Sequence, residues 1–524
     1  MSHQRNSKQE TDLVNKASSV SAATLISRIM GYVRDMLIAN FFGATMMADA
    51  FFVAYRIPNL LRRLLGEGAL STSFIPVYTE YLTNRSEEES KKLVQVTFGA
   101  FGILFIVLTA LGIVFAPQIV TCIAFGFKND PEKFRLTVML TRIMFPFLMA
   151  IGLGAITLGI LNSWRMFFIP AVAPVMLSIS EIIFILLICP YLSLPISGLA
   201  IGVVIGGFAQ LLFQIAPVMK KSGALLRPKL DLKHPGLKQV GRLMMPAVIG
   251  LSIMQINSFI DTICATLLKA GSVTHLYYGN RLMQLPLALF GTAVATVTLP
   301  MMSENAAKDQ LQKLKDTFSF SLRAISFLIT PAAVGFIIFG GPIIKLLFER
   351  GEFLSSDTNS TAWVLSCYSA GLIFYAGVKV GVSAFHSLQD TKTPVKIASL
   401  AMVINVILNI CVVTIEPIRN LFSAGGLAFA TAIASGINFL LLIMVFRRRY
   451  GLIGGRTITR SIIKHFIASI VLGAAIYYCG VLTTAYSVYL RVPLVLITGT
   501  AVYILISHIL SVQELKNIKD IFVK

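Results

Sequence analysis

Acidic residues are scarce in this chain: 24 Asp and Glu stand against 45 Lys and Arg, and charged residues of both signs make up only 13% of its 524 positions. Soluble domains carry about 25%, so a freely soluble globule is excluded. Cysteine is sparse as well. Cys122, Cys189, Cys264, Cys367, Cys411 and Cys479 are scattered, mostly inside apolar runs and without CxxC spacing. That excludes a disulfide framework or a zinc site and leaves small buried hydrophobes. The six histidines form no HExxH or other ligand spacing, which leaves them structural roles. The polar start, MSHQRNSKQETDLVNK, leads into an arginine-containing apolar segment with no small-residue cleavage site, so no removable signal peptide is expected. No loop is large enough to form a catalytic domain.

Apolar sequence, by contrast, is abundant: 56% of residues are hydrophobic and the mean hydropathy is +0.78. Runs of about 20 apolar residues, broken by polar, Gly or Pro punctuation, predict about fourteen membrane-spanning helices. Their limits are 17–41, 48–81, 94–122, 136–162, 167–189, 196–219, 243–268, 276–302, 317–344, 358–386, 397–415, 422–446, 465–482 and 492–511. The fold class is therefore an all-α polytopic membrane protein. Its net charge of +21, which in a soluble chain would suggest nucleic acid, here belongs to the loops. One set of loops and both tails holds 28 Lys and Arg, the other set 8. This asymmetry places both termini in the cytoplasm. The richest loops, 220–242 and 447–464, read as anchors on an anionic leaflet.

Nine basic residues remain within the spans: Arg28, Arg34, Arg56, Arg62, Arg63, Arg142, Arg281, Arg323 and Lys379. The acids there are Asp35, Asp49, Glu67, Glu181 and Asp261. A charge at the bilayer centre costs about 2.5–3.5 kcal/mol even on the lenient insertion scale, so these side chains are expected to face a bundle interior or a wet cavity. Some can neutralise each other: Arg34 adjoins Asp35, and Glu67 follows Arg63 by one helical turn. Glu181 is expected to meet an arginine, and Lys379 either lines the cavity or faces Glu181. The excess is cationic and mostly arginine, whose planar fork suits phosphate or diphosphate.

Two spans look broken. The second holds Pro58, Gly66, Gly68 and Pro76, the eighth Pro286, Gly291 and Pro300. Backbone groups freed at such breaks must be satisfied inside the protein, and breaks at matching positions in two halves point to a binding site. An offset of 224 residues lays ALSTSFIPVYTE (69–80) over AVATVTLPMMSE (293–304), with Ala, Thr, Pro and Glu coinciding. This suggests two repeats of six spans with the same topology, followed by two extra helices. The expected divisions are 1–222, 223–450 and 451–524.

The blocks SRIMGYVRD (27–35), ADAFFVAYRIPNLLRRLLGEGALSTSFIPVY (48–78), GSVTHLYYGNRLMQLPLALFG (271–291) and QDTKTPVKIA (389–398) resemble the MurJ (MviN) family of lipid II flippases. That family belongs to the multidrug/oligosaccharidyl-lipid/polysaccharide exporter superfamily. The resemblance runs from about residue 17 through 511. It implies two six-helix lobes around a V-shaped central cavity, a lipid-tail groove on the last two spans, and alternating access in the bacterial cytoplasmic (inner) membrane. The implied substrate is lipid II, an undecaprenyl-diphosphate-linked disaccharide pentapeptide, with other cell-wall synthesis proteins as further partners. The cavity arginines fall on Arg28, Arg34, Arg62 and Arg281 and the partner acid on Asp49; Arg56, with no acid one turn away, is a further substrate-binding candidate. Asn280 and Gln284 stand where some members have acids.

No organic cofactor is expected. Asp261, Asn405, Asn409 and Thr431 supply oxygens of the kind that suit a monovalent cation, and the resemblance implies that some members hold sodium there. Hydrogen bonding between helices by the two asparagines is the alternative. For the whole chain the competing readings are a polysaccharide-lipid or multidrug exporter of the same superfamily, a membrane enzyme acting on lipid-linked sugars, and a transporter-like scaffold. A drug–proton exporter favours acids and aromatics in its cavity. An enzyme needs catalytic acids or histidines at a membrane face. The sequence supplies arginines instead.

Overall fold

Helix formation in this chain follows from apolar runs punctuated by caps and prolines. In the computed structural model, which describes residues 2–222 and 227–515, no strand occurs among the described residues. The side chains of residues 2–18, 65–67, 249–254 and 256 lie outside that description.

The chain divides into two compact units, Met1–Ile263 and Cys264–Lys524. The first contains α1 (Ser2–Phe42), α2 (Met46–Leu61), a π-helical tract (Arg62–Leu70), α3 (Ser71–Asn84), α4 (Glu87–Val114), α5 (Ala116–Ile123), α6 (Pro131–Met144), α7 (Pro146–Ser163), α8 (Phe168–Val172), α9 (Pro174–Leu187), α10 (Pro195–Ser222) and most of α11 (Pro235–Thr266). The second contains α12 (Ser272–Pro286), a π-helical tract (Leu287–Gly291), α13 (Thr292–Ala307), α14 (Leu311–Phe348), α15 (Ser355–Ala370), α16 (Leu372–Ser387), α17 (Lys392–Thr414), α18 (Glu416–Tyr450), α19 (Gly455–Leu482) and α20 (Val488–Ile509).

Among the described residues ten helical runs, some of them joining consecutive helices, are long and apolar enough to cross a membrane, and the pair α15–α16, bent by 41°, makes an eleventh. The other expected spans coincide with α1, with the tract from α2 to α3, and with α11. Those three are the tracts that hold Arg28 and Arg34, Asp49 to Arg63, and Asp261. The chain is thus an all-helical multi-span membrane protein, consistent with about fourteen crossings.

Local chemistry sets the ends and breaks. Ser86 caps α4 by accepting the Glu89 amide, and Glu87, Glu88 and Glu89 complement the positive end of the helix. Asp130 caps α6 in the same way, with Pro131 at the first helical position. The expected breaks in the second and eighth spans are π-helical tracts, Arg62–Leu70 and Leu287–Gly291. The 224-residue offset lays the second tract onto positions 63–67, inside the first. Such tracts are rare and often mark functional positions. A further break interrupts α18 at Ser423 (φ 46°, ψ −136°), where the Trp363 indole N–H donates to the Phe422 carbonyl at 3.0 Å.

Within the first unit α10 lies close against α9 along Gly202 and Gly206. A Cβ on Gly202 would come within 2.9 Å of Phe184, and Ser180 Oγ donates to the Gly202 carbonyl at 2.8 Å. Small residues that let backbones approach are a main source of helix association in lipid. In the second unit α19 and α20 pack on α14 through Phe327, Phe339, Leu472, Ile476, Val495 and Tyr503. The Tyr503 hydroxyl donates to the Phe327 carbonyl at 2.7 Å.

Candidate functional site

The charged side chains of the first two spans differ in burial and in partners. On α1, Arg34 sends Nε (3.0 Å) and Nη2 (2.7 Å) to Asp35 Oδ1 and Nη1 (3.3 Å) to Glu181 Oε1 on α9. Asp35 is fully buried and Glu181 nearly so. Arg34 thus carries both the neutralising pairing with Asp35 and the arginine contact expected for Glu181. Lys379, the alternative partner of Glu181, is half-buried in the second unit. Arg28, nearly two helical turns before Arg34, is exposed.

Asp49, on the first turn of α2, accepts from Lys133 Nζ at 2.8 Å, with both side chains buried. The Lys133 ammonium also sits 4.2 Å above the Phe127 ring. Further along α2, half-buried Arg56 bonds Ser258 Oγ of α11. Half-buried Arg62, at the start of the π-helical tract, donates through Nε to Asn59 Oδ1 at 2.9 Å. Arg63 is exposed, and its expected partner Glu67 lies outside the described side chains. Arg281, on α12 one and a half turns before the second π-helical tract, is half-buried. Arginines therefore flank the irregular tract in each unit.

Lys133 was missed by span counting, which places it in a loop. Its signal is a helical stripe of polar residues: Lys133, Thr137 and Thr141 are all buried on one face of α6. Glu514 was missed because it follows the last apolar run. It accepts from Arg323 Nη1 of α14 at 2.6 Å and lies 3.3 Å from His465 Nε2 of α19, tying those helices together. Counting Lys133 and Glu514 adds one charge of each sign and leaves the cationic excess unchanged.

The oxygen set for a monovalent cation divides between the units. Asn405, Asn409 and Thr431 come together: Asn409 Nδ2 donates to Asn405 Oδ1 at 3.0 Å, Asn405 Nδ2 to Thr431 Oγ1 at 3.2 Å, and Thr431 Oγ1 to the Leu427 carbonyl at 3.0 Å. This joins α17 to α18 through neutral side chains. Asp261, the one carboxylate of the expected set, is half-buried on α11 in the first unit. No group of three or more His, Cys, Asp or Glu that could hold a metal occurs among the described residues.

The QDTKTP block proves to be a helix start. Asp390 accepts from the Thr393 amide (3.0 Å), Thr393 Oγ1 (2.6 Å) and Arg449 Nη1 (2.8 Å). The Thr393 hydroxyl bond foremost, then its amide and Arg449, hold the Asp390 carboxyl below its usual value of 3.8. Its stabilising contribution is complete above that value and is lost as pH falls through the lowered one. Melting curves between pH 5 and about pH 3 are therefore expected to show an acid-side loss of stability that is smaller in Asp390→Ala. An unchanged acid limb in that variant overturns the assignment.

Comparison with known proteins places this geometry. A multidrug resistance MATE transporter of the MOP superfamily, in its inward-facing conformation, superposes with a TM-score of 0.68 over 83% of this chain and 98% of that one, at 15% identity. The two chains share a fold. A solved structure described as lipid II flippase MurJ, inward closed conformation, gives a TM-score of 0.78 and 29% identity over 94% of this chain and 98% of its own. A protein of Vibrio cholerae serotype O1 described as a probable lipid II flippase MurJ is 38% identical over 437 residues, 82% of each chain. The family model for lipid II flippase MurJ matches residues 38–497. The chain belongs to the MurJ family.

Proposed function

We propose that the protein moves lipid II, without converting it, from the inner to the outer leaflet of the bacterial cytoplasmic membrane, with both termini in the cytoplasm. The family match over residues 38–497 carries this reading, and the excess of arginine in the spans supplies the chemistry. A diphosphate-linked sugar-peptide cannot cross hydrocarbon unaided, because stripping water from the charged groups is prohibitive. Arg28, Arg62 and Arg281, with Arg56 in support, replace that water by charge-assisted hydrogen bonds to the diphosphate. Arg34, held by Asp35 and Glu181, positions α1 against α9. Asp49, held by Lys133, positions α2 against α6.

Residues 1–222 and 223–450 act as the two lobes of an alternating-access cycle, with 451–524 carrying the lipid tail. The π-helical tracts in α2–α3 and α12–α13 are the deformable segments, since their hydrogen bonds are already displaced from the α register. No step is routed through sodium: the Asn405–Asn409–Thr431 chain serves as a bond between helices. Asn409→Ala is expected to lower the melting temperature equally in sodium and potassium buffers. A loss confined to sodium overturns this and restores an ion seat.

The polysaccharide-lipid exporter remains the competing substrate class. Purified protein in vesicles, loaded with lipid II in the inner leaflet and read by enzymatic modification of headgroups reaching the outside, decides between them. Transport of lipid II supports the proposal. Transport of an undecaprenyl-diphosphate-linked polysaccharide unit in its place overturns it.

A further inference from the structure

A second cationic site lies outside the spans considered so far. The turn between α18 and α19, with left-handed Gly451 (φ 89°) and Gly454 (φ 74°), brings Arg447 on the last turn of α18 near the start of α19. There lies an open surface groove of about 620 Å³, lined by Arg447 from α18 and by Gly455, Arg456, Thr459, Arg460, Ile463 and Lys464 from α19. Its volume is within the range of sites that hold a small molecule. It carries four positive side chains and no acid.

The Glu514 carboxylate is already engaged, buried beneath α19 with Arg323 and His465. Lys464 forms the fixed corner, donating to the Leu510 carbonyl at 2.6 Å. Arg447, Arg456 and Arg460 are exposed and make no side-chain ion pair or hydrogen bond among the described residues. Three guanidinium groups so close together repel one another unless an anion joins them. A single phosphodiester would neutralise only one of the four charges, whereas a diphosphate presents two or more on adjacent groups and matches several arginine forks at once.

The surroundings specify an amphiphile. From Ile463 the same face of α19 continues through Phe466, Ile467 and Ile470, all exposed. A ligand with its anionic head among the arginines would lay a hydrocarbon chain along that face.

We propose that this pocket binds the diphosphate of an isoprenoid-linked lipid and holds it on the outer wall of the second unit before transfer to the spans. The inference rests on the flippase reading, and on the Lys/Arg asymmetry that sets the 447–464 loop on the cytoplasmic side, where the substrate is loaded.

Full-length protein in phosphatidylcholine nanodiscs, titrated with farnesyl diphosphate, provides the test. To remove the span arginines as binders, the titration uses an Arg28→Ala/Arg56→Ala/Arg62→Ala/Arg281→Ala background. Adding Arg456→Ala/Arg460→Ala is expected to raise the Kd about tenfold or more, and Arg456→Lys/Arg460→Lys to raise it less. An unchanged Kd in the alanine variant overturns the site. Displacement of the probe by phosphatidylglycerol at equal concentration overturns its selectivity for diphosphate, and inorganic diphosphate binding as tightly as the farnesyl compound overturns the lipid-facing half. In vesicles, Arg456→Ala/Arg460→Ala in an otherwise wild-type chain is expected to raise the lipid II concentration for half-maximal transport while keeping the maximal rate. A wild-type protein that does not move lipid II at all refutes the flippase reading, whereas a wild type that does, with an unaffected double variant, refutes this site alone.

Discussion

Replacing Arg28, Arg62 or Arg281 singly by alanine is expected to reduce lipid II translocation about tenfold to a hundredfold, while the protein still inserts and melts normally. On the proposed mechanism each arginine removed takes away a charge-assisted hydrogen bond to the diphosphate, worth about 1.5–3 kcal/mol, and 1.4 kcal/mol is about a factor of ten. The loss is expected to fall on transport because none of the three is fully buried. Arg28 is exposed, and Arg62 and Arg281 are half-buried. Arg34→Ala should behave differently, since it also strips Asp35 and Glu181 of their shared cation, and its stability should fall along with its transport. Normal rates for all three single variants in vesicles would remove the diphosphate mechanism.

Breaking the Asp49–Lys133 pair is expected to be the most destabilising single change near the site. Lys133→Ala leaves a carboxylate, 1% exposed, without its ammonium partner. Severing a buried ion pair from one side costs about 3–5 kcal/mol, whereas replacing both partners by apolar groups is often close to neutral. Lys133→Ala should therefore lower unfolding stability in detergent severely, and Asp49→Leu/Lys133→Met should recover most of it. If Asp49 acts by fixing α2, the double variant also regains transport. A Lys133→Ala protein within about 1 kcal/mol of wild type would place the pair among weakly coupled surface-like bridges.

These two sites differ in how legible they were. Arg28, Arg62 and Arg281 could be singled out because a guanidinium inside an apolar run is costly wherever the run ends up. The breaks were legible for a similar reason, since proline and glycine disturb a helix whatever it packs on. Both expected interruptions became π-helical, and they fall in the same register of the 224-residue offset. Lys133 was hidden because its burial depends on α2 lying against α6, which no local pattern states. Glu514 was hidden likewise, drawn under α19 by Arg323 and His465. The asparagine pair was read as a candidate ion seat, and the structure shows each amide already bonded to its neighbour.

Hydrophobic run length, the sign of loop charge and the presence of arginine in apolar tracts are properties of the chain itself, and they determined that it is an all-helical membrane protein with an excess of cationic side chains in its apolar tracts. Which carboxylate meets which cation was decided only by tertiary structure. Arg34 meets Glu181 across 147 positions and Asp49 meets Lys133 across 84. Such pairs form only when helices distant in sequence are brought side by side, and the low dielectric between them makes each pairing consequential.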